Sequence, residues 1–301
     1  MQKKLEHFFT VKHSQTIKRC FIYDPKEKRA FFAFEPASTD QLKTIMQDIK
    51  LYLRTSPQSE RCSLPRIEHS CPTPLLISNL QKAVRRQDTA VALASTLALL
   101  EQDPLKLLRR LPIICIEDVA AIDSIPVMVW WMMAAHTLTH DDKWTILCMV
   151  QTLCQINEAC PTDRKTPPAP MSHESLQNSD LHLSLYYRSQ YGGMKGDMVM
   201  LQNAISAELP VHPTQWEIPT LPTELEVLAE AIDFHPFPPL LTQLQKRTGL
   251  EQDVIQSCIW FAESGVNVRK PLTLQQSEEY QQKPEWKKIE SHLDSLRESL
   301  V

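Results

Sequence analysis

The 301-residue chain sets 32 Lys and Arg against 36 Asp and Glu, a formal net charge of -4. This excludes the broad basic surface of a non-specific nucleic-acid binder, so any such contact must be local. With 43% hydrophobic and 23% charged residues the composition is far from disordered and can supply one large or two modest cores. Five glycines against 22 prolines predict helices punctuated by proline rather than a hairpin-rich sheet.

Residues 1 to 18 are polar and basic apart from the pair Phe8-Phe9, and are expected to be a flexible peptide without a local core. No apolar stretch follows Lys3, Lys4 and Glu6, so no signal peptide is predicted. The stretch CFIYDPKEKRAFFAFEP predicts a hairpin turning at Asp24-Pro25-Lys26-Glu27. A capping box, Ser38 with Gln41, predicts a helix reaching about Leu53. Together residues 19–56 form a small αβ unit, followed by a polar, proline-bearing loop over 57–74.

Residues 75–160 read as helix after helix. Leu76, Leu80, Ala83 and Val84 share a face, with Arg85 and Arg86 at the end where cations suit the helix dipole. Asp88 restarts the chain into TAVALASTLALL, apolar nearly all round and therefore central in a bundle. Asp103-Pro104 is an N-cap followed by proline at the first helical position. Two apolar helices follow, at about 125–139 and 142–159, and the Trp130 to Met133 stripe is expected in the core. The most apolar run, IPVMVWWMMAAHTL, is shorter than the ~18 residues of a membrane span, so a soluble intracellular protein is expected.

Residues 161–179 have linker composition, and 180–301 form a carboxy-terminal helical region with a capping box at Thr223 to Glu226. In its tail Trp286, Ile289, Leu293 and Leu296 align on one helix face.

Eight cysteines contain no C-x-x-C pair, and four lie in apolar runs, as expected of reduced, buried thiols. Cys62, His69 and Cys71 could offer three zinc ligands, but no fourth is evident and the spacing matches no finger. No metal and no cofactor are therefore expected.

Three stretches carry candidate chemistry. In LPIICIEDVAAID, the acids Glu117, Asp118 and Asp123 are the candidate metal ligands of a nuclease, weighed against acids favoured near a helix start. An ATPase reading lacks its partner, since no G-x-x-x-x-G-K-[ST] loop exists in the chain. The cluster YGGMKGDM reads as a glycine turn opening a helix at Asp197, and Arg188 and Lys195 beside it join Arg85 and Arg86 as candidate DNA contacts. In FHPFPPLL, His235 is read as a packed turn residue.

Two resemblances add to this. The order Lys82, Arg85, Asp88, Asp103-Pro104, Arg109-Arg110-Leu111 and Glu117-Asp118-Val119 resembles the carboxy-terminal helical region of the maintenance-of-genome-stability ATPases, which include the Werner-helicase-interacting ATPase. It covers about 75–160 without the ATPase module, so it implies helices, an oligomerising role and a pairing of Glu117-Asp118 with Arg109 or Arg110, and no ATPase activity. The stretch MQKKLEHFF resembles the PIP box, Q-x-x-[aliphatic]-x-x-aromatic-aromatic, that binds the sliding clamp PCNA. The resemblance implies one 3₁₀ turn placing Leu5, Phe8 and Phe9 in an apolar pocket of the clamp and Gln2 in a polar one.

The expectation is a mainly α protein, a helical bundle with a small amino-terminal hairpin-plus-helix unit. It would act as a clamp-binding accessory or adaptor in DNA replication or repair, in a nucleus or a viral replication compartment. DNA and other replication proteins are its expected further partners, a homo-oligomer is open, and no membrane is involved. The alternative is a clamp-targeted, metal-dependent nuclease.

Overall fold

The computed structural model describes the backbone of residues 19–24, 29–34, 41–46 and 49–53 and residues 63–157 except 123, 135–137 and 139. It also describes His182 and Leu185 and residues 195–206, 219–233 and 238–299. Gln2, Leu5, Phe8, Phe9, Asp123, Arg188, His235 and the 161–179 linker lie outside the described residues. The protein is mainly α-helical. Its described helices form two compact units, one of 1–62, 108–143 and 161–215, the other of 63–107, 144–160 and 216–301.

In the first unit β1 (Arg19–Asp24) pairs antiparallel with β2 (Arg29–Phe34). The helix expected from Ser38 to Leu53 is instead a second antiparallel pair, β3 (Gln41–Met46) with β4 (Ile49–Leu53). Ile49, Leu51 and Leu53 alternate with Lys50 and Tyr52, and that two-residue period outweighs the local cap signal.

The second unit begins with α1 (Thr73–Arg86), which packs on α2 (Thr89–Gln102). Asp88 caps α2 by accepting from the Val91 amide at 3.0 Å. Every residue of α2 from Val91 to Leu100 is buried, which is why its sequence shows no polar face. The next helix, α3 (Pro104–Ile114), starts as read: Asp103 Oδ1 accepts from the Lys106 amide at 3.1 Å.

Pro112 lies inside α3 and removes one intrahelical donor. The chain then widens into a π-helical turn, Cys115–Val119, closed by the Ala120 amide on the Cys115 carbonyl at 2.9 Å. Beyond it lie α4 (Ile125–Ala134) and α5 (His140–Gln155). Trp131 is fully buried and donates its Nε1–H to Asp142 Oδ1 at 3.3 Å, satisfying an indole that the apolar stripe alone would strand. α6 (Lys195–Ser206) packs against α4 and opens two residues earlier than read, with Asp197 inside its first turn.

The carboxy-terminal helices of the second unit are α7 (Pro238–Thr248), α8 (Gln252–Ile259), α9 (Pro271–Gln281) and α10 (Pro284–Glu298). Leu240 and Leu244 of α7, Ile255, Cys258 and Ile259 of α8, and Trp286, Ile289, Leu293 and Leu296 of α10 make one core. The aligned stripe read in the tail is thus its buried face. The capping box at Thr223 starts no helix. Asn79 holds that segment extended instead, donating Nδ2–H to the Glu226 carbonyl at 2.8 Å and accepting from the Leu228 amide at 2.9 Å. Val227 and Leu228 pack on Leu75, so a tertiary contact overrides the local signal. No described helix is long and apolar enough to cross a membrane.

Candidate functional site

A cluster of charged side chains lies at the end of α1. Arg85 is buried and donates to the Ser264 carbonyl at 2.7 Å. Its guanidinium carbon lies 5.4 Å from the centre of the Trp260 ring, and Lys82 Nζ lies 5.5 Å from it. Arg86 donates to the Glu263 carbonyl at 3.0 Å and pairs with Glu230 at 3.0 Å. Arg85 and Arg86 are read from sequence as candidate DNA contacts; Arg85 is buried and engaged inside the fold, and Arg86 is hydrogen-bonded and ion-paired there with its side chain 31% exposed. Helical spacing puts basic residues at a helix end, but it does not show that the end is covered by a turn formed about 180 residues later.

That covering turn is Trp260–Ser264, a π-helical extension of α8 closed by the Gly265 amide on the Trp260 carbonyl at 2.7 Å. A Cβ on Gly265 would lie 2.8 Å from the Trp260 indole, so only glycine fits there. Glu263, from the same turn, accepts from Arg297 of α10 at 2.7 Å, and Asp233 accepts from the same nitrogen at 3.0 Å. Burial pushes Asp233 up to about 7, against the lowering effect of Arg297 and Lys82. Burial opposes the charge on Arg297, but Glu263 and Asp233 outweigh it and raise its pKa. The pair is a buried contact whose acid is incompletely compensated, since Asp233 Oδ2 has no hydrogen-bond partner among the described residues.

Sequence reasoning missed Arg269, which closes two helix ends at once. Its guanidinium donates to the Val84 carbonyl of α1 at 2.6 Å and to Leu153 and Ile156, at the end of α5, at 2.5 Å each. These are carbonyls that a helix leaves without partners. Gln87 completes the junction with φ of 61° and donates its side-chain amide to the Ile156 carbonyl at 3.0 Å. An exposed-looking VNVRK stretch carries no local sign of this role. The Cys154 thiol beside it is pushed up to about 12 by burial, which makes it unreactive near neutral pH.

In the first unit Glu117 sits in the π-helical turn, 3.7 Å from Arg110. Asp118 is buried beside it. Among the described residues no group of three or more His, Cys, Asp or Glu is placed to hold a metal ion. Lys195, the remaining described DNA-contact candidate, is exposed in the first turn of α6. His182 Nε2 lies 2.6 Å from Ser206 Oγ, which superficially resembles a nucleophile and its base. Ser206 gives its hydrogen to the Gln202 carbonyl at 2.7 Å, so the imidazole donates to the hydroxyl, the reverse of nucleophile activation.

Comparison with protein-family models, with curated proteins and with solved structures found no match for this chain.

Proposed function

We propose that this protein is a sliding-clamp-binding accessory or adaptor of DNA replication or repair. The observation that carries the reading is the complete spacing Gln2, Leu5, Phe8, Phe9, with all fixed positions of the PIP box met. Leu5, Phe8 and Phe9 supply the apolar surface that a clamp pocket buries, and Gln2 supplies an amide for its polar neighbour. Lys3, Lys4 and Lys12 flank the motif with positive charge, which speeds encounter with an acidic surface.

The helical body serves in this reading as a scaffold that presents a second binding surface to DNA or to another replication protein. The ion pairing of Glu117 with Arg110 weighs on the side of the adaptor and against a nuclease built on Glu117, Asp118 and Asp123. Co-purification tests the proposal. The clamp is expected with the wild-type chain and lost with a Phe8→Ala, Phe9→Ala double variant; equal recovery with both removes the reading.

A further inference from the structure

The carboxy-terminal core contains an arrangement that the sequence reading did not use. α7 and α8 are joined by three residues, Gly249, Leu250 and Glu251. Gly249 has φ of 69°, and its amide donates to the Gln245 carbonyl at 2.9 Å. Thr248 Oγ1 then accepts from the Leu250 amide at 3.2 Å, and Gln252 donates to the Gln245 side chain at 2.9 Å. The two helices are therefore locked by a short glycine turn and by the core they share with α10. A three-residue turn containing glycine also joins the two helices of the helix-turn-helix motif, whose second helix enters a DNA major groove.

The second helix of the pair is composed for that task. Ile255, Cys258 and Ile259 face the core, and Gln252, Asp253, Val254, Gln256, Ser257 and Trp260 are exposed. Gln can make a paired contact with adenine, Asp accepts from the amino group of cytosine, and Ser hydrogen-bonds either partner. Lys246 and Arg247 are exposed at the end of α7, immediately before the turn. Glu251 and Asp253 repel phosphate at the start of α8, which suits base edges there and phosphates at Lys246 and Arg247.

We propose that α8 is a recognition helix for the major groove of duplex DNA, with Gln256 and Ser257 reading base edges and Lys246 and Arg247 holding phosphates. This deepens the clamp-accessory reading by naming the DNA-facing surface, and rests on that reading only for its biological setting.

The test uses the full-length chain with fluorescein-labelled duplexes carrying a randomised centre, selected for binding and then measured by anisotropy across a salt series. The expected result is an enriched duplex sequence bound more tightly than its single strands. Gln256→Ala should reduce the preference for that sequence about tenfold. Lys246→Ala with Arg247→Ala should weaken binding to all duplexes alike and lower the salt slope by about 2. All these side chains are exposed, so the variants retain the core. Absence of duplex binding at low salt, equal binding of single strands, or unchanged binding by the Gln256 and Lys246/Arg247 variants overturns the proposal, including the case in which this face binds a protein instead. Clamp affinity, measured without DNA, is a separate reading, so failure of the clamp proposal is distinguishable from failure of this one.

Discussion

Arg297 and Asp233 meet at 3.0 Å with both side chains only 4% exposed. Burial raises Asp233 from its ordinary 3.8 to about 7, so between those values the folded state holds a proton that the unfolded chain has released. Stability from this group is therefore greatest below about pH 4 and declines as pH rises to about 7, with no further change above. Urea unfolding of the wild type and of Asp233→Asn across this range checks it. Relative to the variant, the wild type should lose stability with rising pH, no faster than the one-proton limit of about 1.4 kcal/mol per pH unit. Wild-type stability that rises with pH relative to the variant would contradict the raised value.

Arg269 predicts a larger effect. Arg269→Ala strips the donor from carbonyls at the ends of both α1 and α5 and should cost about 3–5 kcal/mol in chemical unfolding. Arg269→Lys keeps the charge but loses the planar fork that reaches several carbonyls, so it should recover less than half of this stability.

Gly265 is set by close approach. Gly265→Ala places a methyl 2.8 Å from the Trp260 indole and 2.9 Å from its carbonyl. It should destabilise by about 1–3 kcal/mol and shift the Trp260 environment seen in near-ultraviolet circular dichroism. Gly196, whose added Cβ meets nothing within 4 Å, is the control and should tolerate alanine.

Elements governed by short-range pattern were legible in the sequence. The α10 stripe and the Asp88 and Asp103 caps depend on residues within a few turns of each other. What was not legible depends on distance along the chain. Arg269 meets Val84 across 185 residues, and Asn79 meets Leu228 across 149. The same long-range contacts turned Arg85 and Arg86 from expected surface cations into fold contacts, and held the Thr223 segment out of a helix. The glycine turn between α7 and α8 is local, but its meaning depends on which face of α8 the distant α10 covers.

Glu117 separates the adaptor from the nuclease. Its side chain and that of Arg110 are 24% and 29% exposed, so Glu117→Gln should change stability by less than about 1 kcal/mol. Magnesium or manganese should leave the unfolding midpoint of the wild type unchanged; a metal-dependent rise abolished by Glu117→Gln would favour the nuclease.

Calorimetry of a peptide spanning residues 1 to 14 against a PCNA-type clamp tests the central claim most directly. Saturable binding by the wild-type peptide, abolished by Phe8→Ala and Phe9→Ala, is the predicted result. No binding above background, or equal binding by the substituted peptide, would contradict it.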